Sequence, residues 1–159
     1  MSSKTPRTPV EVVRAFWERL EARDWNGARA CLADGVVVVW PATLERFEGG
    51  DLFIAMNAAY PEGWHVSVQA VMAQKHDVLA WVAVTLDGQR SWCSQRATVH
   101  NKKIVNAVEL WTDEGGVTAP TWRKPFASQP PVDQPAVDQP LVDPTDTPSE
   151  HSASIEEHS

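Results

Sequence analysis

Cysteine is scarce: Cys31 and Cys93 are the only two in 159 residues, too few for a disulfide framework. Neither stands in a CxxC or Cys/His spacing, and no pair of the histidines has metal-ligand spacing, so no metal is expected. Tyrosine occurs once, at Tyr60. Long apolar runs are also missing. The chain opens Met1-Ser2-Ser3-Lys4-Thr5-Pro6 without an apolar leader, and its longest β-branched run, Val36 to Val39, is far too short to cross a bilayer. A soluble, cytoplasmic protein with no membrane contact is expected. Glycine loops of the P-loop or dinucleotide type, HExxH and nucleophile elbows are absent, and no cofactor is expected.

Positive charge is confined to one part of the chain. All 14 Lys and Arg precede Ala127, whereas Asp133, Asp138, Asp143, Asp146, Glu150, Glu156 and Glu157 follow it. The net charge of −7 therefore belongs to the C-terminal segment, and the first 126 residues are formally neutral. A neutral domain with an acidic extension offers no footprint for nucleic acid. The extension repeats Val132-Asp133-Gln134-Pro135, Val137-Asp138-Gln139-Pro140 and Val142-Asp143-Pro144 and has no aromatic residue after Phe126. It cannot bury enough surface to offset its ordering entropy. Two parts are expected: a domain over 1–126 and a disordered, acidic, Pro-rich tail over 127–159. The tail is either a solvated appendage or a docking segment for a protein partner.

What is plentiful lies in the first part. All eight Trp fall there, enough for one domain with a substantial core. Thr8-Pro9-Val10-Glu11 is a capping box with proline at the first helical position. Val10, Val13, Trp17 and Leu20 continue it at helical spacing to about Arg23. Asp24 can cap a second helix ending at Gly35. A strand is predicted over Val36–Trp40, a short strand or arm over Leu44–Glu48, and a third helix opened by Gly50-Asp51, Leu52 to Tyr60, stopped by Pro61. Four strands follow, roughly 64–73, 77–86, 90–100 and 103–112. Helices grouped ahead of an antiparallel meander mean an α+β domain with helices covering one sheet face.

The turns set an expected register. Asn101-Lys102 and Asp87-Gly88 read as two-residue hairpin turns, and Gln74-Lys75 as a third. On a plain ladder these place Ser94 opposite Glu109, Trp92 opposite Trp111 and Trp81 opposite Ser94, with Arg96 one diagonal step from Glu109. One face would then hold Trp64, Trp81, Trp92 and Trp111 around Ser94, Arg96 and Glu109. That composition suits either an aromatic core or a small-molecule pocket. The other face would hold Val78, Ala80, Val82, Val84, Cys93, Ala97, Val108 and Leu110. Such a face should not be left in water, and a homodimer is the expected cover.

Glu109 alternates with Val105, Ala107 and Trp111 and so lies among apolar neighbours. A buried carboxylate must be paired, protonated or functional. Either Glu109 and Arg96 form a structural ion pair, or Glu109 serves a ligand as general acid, general base or orienting group.

The order of elements resembles the nuclear transport factor 2-like superfamily, a cone-shaped, cystatin-like α+β barrel, and within it the polyketide-cyclase-like (SnoaL-like) branch. The resemblance is carried by Ala22-Arg23-Asp24-Trp25, by Trp40-Pro41 with Glu45-Arg46-Phe47-Glu48-Gly49, and by Tyr60-Pro61 with Trp64. Lys103-Ile104-Val105, Glu109-Leu110-Trp111 and Trp122-Arg123 complete it, over about residues 8–125. It implies a concave sheet face with a pocket closed by helices, and homodimerisation through the outer face. It also implies that the arm after Trp40 can line the pocket mouth, where Glu45 would supply a second inward acid, or else form a surface pair with Arg46. The superfamily includes isomerases, cyclases, epoxide hydrolases, dehydratases and non-enzymes, so activity does not follow from it. Phe16 and Trp17 stand where steroid isomerases carry a helix-borne tyrosine, and the main strands hold no interior Asp for an epoxide hydrolase Asp-Arg-Asp arrangement. Lys102 occupies a turn position where relatives usually have glycine, so it should adopt positive φ.

The expected protein binds a small apolar ligand, using Trp40, Tyr60, Trp64, Trp81, Trp92, Ser94 and Trp111. Cofactor-free acid–base chemistry by Glu109, Glu45 and Arg96 is its catalytic extension. The alternative is a non-catalytic homodimerisation module that presents an acidic tail to a partner.

Overall fold

A computed structural model describes residues 8–128. Thr8 opens α1 (Pro9–Glu21) as the capping box requires: its hydroxyl accepts from Glu11 N at 3.2 Å while its own N–H donates to the Glu11 carboxylate at 3.0 Å. This helix buries Val12, Val13, Phe16, Trp17 and Leu20. At about 1.5–3 kcal/mol for each large apolar side chain, that face contributes on the order of 10 kcal/mol before entropy, an upper bound.

Asp24 caps α2 (Trp25–Ala30) through Gly27 N at 2.9 Å. This helix ends before the expected stop at Gly35, because Leu32 already pairs with Ile104. Consequently β1 (Leu32–Trp40) begins four residues before Val36. Next come β2 (Glu45–Glu48) and α3 (Gly50–Ala58), which opens at Gly50-Asp51 as expected and stops two residues before the expected Tyr60. Gly49, at φ +96°, adopts the backbone that a side chain would resist and turns the chain into α3. Arg29 joins these pieces, bonding Asp34 at 2.7 Å and Asp51 at 2.6 Å.

The meander consists of β3 (His65–Gln74), β4 (Asp77–Leu86), β5 (Gln89–His100) and β6 (Lys103–Asp113). One sheet results, in the order β2-β1-β6-β5-β4-β3, antiparallel except where β1 runs parallel to β6. The three helices lie on its inner face. A 3-10 turn over Thr121–Phe126 follows the sheet and leaves Trp122 and Phe126 exposed. Of the expected tail, all but Ala127 and Ser128 lies outside the described residues.

The turns form nearly as expected. Asn101 and Lys102 both take positive φ (49° and 61°), as do Asp87 and Gly88 (49° and 80°). The third turn is displaced by one residue, since Gln74 pairs with Asp77. Two bulges then break the plain ladder. In β6, Ile104 faces Val99 but Asn106 faces Thr98, so Val105 is an extra residue. In β3, Val68 faces Val82 but Ala70 faces Trp81, so Gln69 is another. A bulge shifts everything beyond it by one residue relative to an unbroken ladder.

Both expected faces must therefore be corrected. Glu109 faces Gln95, not Ser94, and Trp111 faces Cys93, not Trp92. Ser94, Arg96, Trp81 and Trp92 share the outer face, away from the helices. Val78, Ala80, Val82, Val84, Cys93 and Ala97, expected outside at a dimer interface, are buried in the core beneath the helices. Only Val108 and Leu110 of that set are exposed, beside Leu79, Trp81 and Met72.

Candidate functional site

Glu109 lies on the inner face of β6 and is 1% exposed. Three donors converge on it. Gln95 Nε2, directly across the strand pair, reaches Oε1 at 2.8 Å, while Trp40 Nε1 and Trp111 Nε1 reach Oε2 at 2.7 and 3.1 Å. Trp17 Nε1, from α1, donates to Gln95 Oε1 at 3.1 Å and so fixes which end of the amide faces the carboxyl. Every neighbour is thus a donor, an environment built for an acceptor. No cation takes part. Burial pushes the carboxyl above its ordinary value, outweighing the opposing hydrogen bonds from Gln95, Trp111 and Trp40.

A cavity of about 240 Å3 opens in front of this network. Trp17, Trp40, Trp64, Trp111 and Tyr60 supply its aromatic wall, and Leu20, Met56 and Val84 its aliphatic part. The rings meet at steep angles rather than stacking: 56° for Trp40 with Trp111, 61° for Trp17 with Trp111 and 70° for Tyr60 with Trp64. Asn57, Ser91 and Asp113 complete the lining, with Ser91 Oγ donating to Asp113 Oδ1 at 2.6 Å. Arg23 braces the wall from behind: its guanidinium lies 3.8 Å over the Trp64 ring and donates to Trp64 O at 2.7 Å. Trp64 Nε1 is buried and has no hydrogen-bond partner.

Of the ten residues expected at the site, Trp40, Tyr60, Trp64 and Trp111 line the cavity and Glu109 stands behind it. The structure does not bring Trp81, Trp92, Ser94 or Arg96 there. Trp81 and Trp92 stack on the outer face, with centroids 5.2 Å apart. Arg96 pairs with Asp77 at 3.4 Å, so the expected ion pair with Glu109 is not formed. Glu45 is exposed on the edge strand and accepts from Thr43 Oγ1. Sequence reasoning missed Trp17, read as core, and Gln95, whose polarity between buried Cys93 and Ala97 is informative only once its facing is known. The outer face has its own hollow, about 560 Å3, bordered by Leu79, Trp81, Arg96, Val108 and Leu110 among others.

Among the described residues, no group of three His, Cys, Asp or Glu side chains is placed to hold a metal ion, and no helix is long and apolar enough to cross a membrane.

No curated protein sequence matches the chain. Among solved structures, a candidate ketosteroid isomerase from Kribbella flavida DSM 17836 is 22% identical over 79% of this chain and 91% of its own, with a TM-score of 0.71. An LEH-like epoxide hydrolase from M. tuberculosis is 20% identical over 65% and 82%, with a TM-score of 0.57. IdmH, a candidate polyketide cyclase from Streptomyces antibioticus, is 14% identical over 66% and 92%, also at 0.57. These likenesses establish the fold alone. Residues 13–107 match the SnoaL-like domain, and the chain belongs to that family, with an NTF2-like α+β fold.

Proposed function

We propose that this protein binds a small, largely apolar molecule in the inner cavity, without a cofactor. One observation carries this: a cavity of about 240 Å3 walled by four Trp and one Tyr, with a buried carboxyl behind two of the indoles. Concave, aromatic-lined sites with few polar groups are the usual form of small-ligand sites. At this size the ligand is compact, no larger than about one or two rings.

The catalytic extension narrows to Glu109. Glu45 and Arg96 do not line the cavity, so the expected pairing of Glu109 with Glu45 does not assemble. Glu109 is screened from the ligand by Trp40 and Trp111, and proton transfer would require one of these indoles to swing aside. In the resting arrangement its role is to hold the aromatic wall.

Titration with a library of compact cyclic molecules, followed by tryptophan fluorescence, tests the binding proposal. Saturable quenching that Trp111→Ala abolishes is expected. No response across the library would defeat it.

The outer face supports self-association in addition. Leu79, Trp81, Val108, Leu110 and Met72 are each at least 40% exposed and contiguous around one hollow. A patch of that kind marks an interaction surface, and a second copy of the domain is the proposed cover. A protein partner for the tail and a cytoplasmic location complete the proposal.

A further inference from the structure

Three of the four tryptophans around the cavity direct their N–H groups at residues that do not line it. Trp40 and Trp111 donate to Glu109, and Trp17 donates to Gln95, both acceptors nearly fully buried behind the wall. Those indoles have no N–H left for a ligand carbonyl or carboxylate. What remains to them is the ring face, which carries the negative part of the quadrupole. Donation to a carboxyl oxygen polarises an indole further in that sense. The steep angles between Trp40, Trp111 and Trp17 arrange the rings as the corner of a cage. Charge points the same way. The lining contains no Lys, Arg or His, and its single ionisable acid is Asp113, at the edge of the cavity.

From these observations we infer that the ligand is a compact organic cation, a quaternary or tertiary ammonium group bearing small apolar substituents. The inference rests on the proposed ligand cavity and names the chemical class that cavity selects. The ammonium centre would sit among Trp17, Trp40 and Trp111, held by cation–π attraction, with Asp113 supplying long-range charge. An anionic ligand is disfavoured twice, by Asp113 and by the absence of a free cation in the lining. A neutral ligand of the same shape would gain the apolar contacts but not the electrostatic ones.

The test compares two probes of nearly identical shape, choline and 3,3-dimethylbutan-1-ol, which differ in nitrogen against carbon at the branched centre. Both are titrated calorimetrically into the full chain and into Asp113→Asn, with circular dichroism as the check on folding. Choline is expected to bind wild type about tenfold more tightly than the alcohol. In Asp113→Asn that preference should fall by about two- to fivefold, through loss of choline affinity alone. Equal affinity of the two probes for wild type would overturn the inference while leaving the cavity a ligand site. Failure of both to bind at millimolar concentration would also overturn the inference, while the ligand site itself stands or falls on the library titration.

Discussion

Gln95 and Glu109 face each other across β5 and β6, and their side chains meet in a 2.8 Å hydrogen bond sealed between sheet and helices. Gln95 is the hinge of the polar network, because it accepts from Trp17 and donates to Glu109 at once. Gln95→Leu would leave the Trp17 N–H without an acceptor and remove one donor from the carboxyl. A loss of about 2–4 kcal/mol is expected, measured by urea denaturation. A loss below about 0.5 kcal/mol would show that the network contributes little to the fold.

Glu109→Gln should change how stability depends on pH. The carboxyl's native pKa is raised above its ordinary 4.5, so between those two values the folded state binds more protons than the unfolded state. Stability therefore falls as pH rises through that window, and this component should vanish in the variant. Asp34 and Asp77 work in the opposite sense. Hydrogen bonds from Arg29 and Thr98 hold their pKa values below the ordinary 3.8, and the stabilisation they give is lost as pH falls. The difference between wild type and Glu109→Gln, in denaturation midpoints from pH 4 upward, isolates the buried group. Parallel profiles would contradict the raised pKa.

Two charge insertions separate the faces of the sheet. Val82 is completely buried beneath the helices, and Val82→Glu should prevent folding, as judged by loss of cooperative unfolding. Leu110 is 53% exposed on the outer face, so Leu110→Glu should fold normally. Sedimentation should then show wild type as a dimer and Leu110→Glu as a monomer at micromolar concentration. Monomeric wild type would remove the self-association proposal.

Thr8→Ala removes the side-chain half of the capping box while leaving every core contact in place. A cost of about 1 kcal/mol is expected from chemical denaturation. An unchanged midpoint would mean that α1 is held by its packing alone.

Most of the element order was legible because it depends on local signals. The capping box at Thr8, the turn residues Asp87-Gly88 and Asn101-Lys102, and the alternation along β4 each act within a few residues. The facing of the strands was not legible, and the site suffered for it. A bulge has little local signature: Val105 is a β-branched residue in a β-rich run, and nothing beside it announces an extra position. Its effect falls four residues on, where Glu109 meets Gln95 rather than Ser94. Trp40, Tyr60, Trp64 and Trp111 were found because they sit outside that ambiguity or on the correct side of it. Arg96 was assigned to Glu109 because a plain ladder would have brought them together.

The extra residue in β6 does not stand alone. On the other side of the same strand, β1 loses its step with β6 between Leu32 and Val37, beside that same position. The two irregularities line up across three neighbouring strands, β1, β6 and β5, and together they form a crease in the sheet. Beyond the crease lie Trp40, Gln95, Glu109 and Trp111; short of it lie Leu32, Val99 and Ile104, which serve only the core. The depth of the hollow is thereby governed by where the sheet folds as well as by which side chains fill it. Lengthening or shortening β1 between Leu32 and Val37 would tilt the half that carries the aromatic wall and resize the hollow without replacing any residue that lines it.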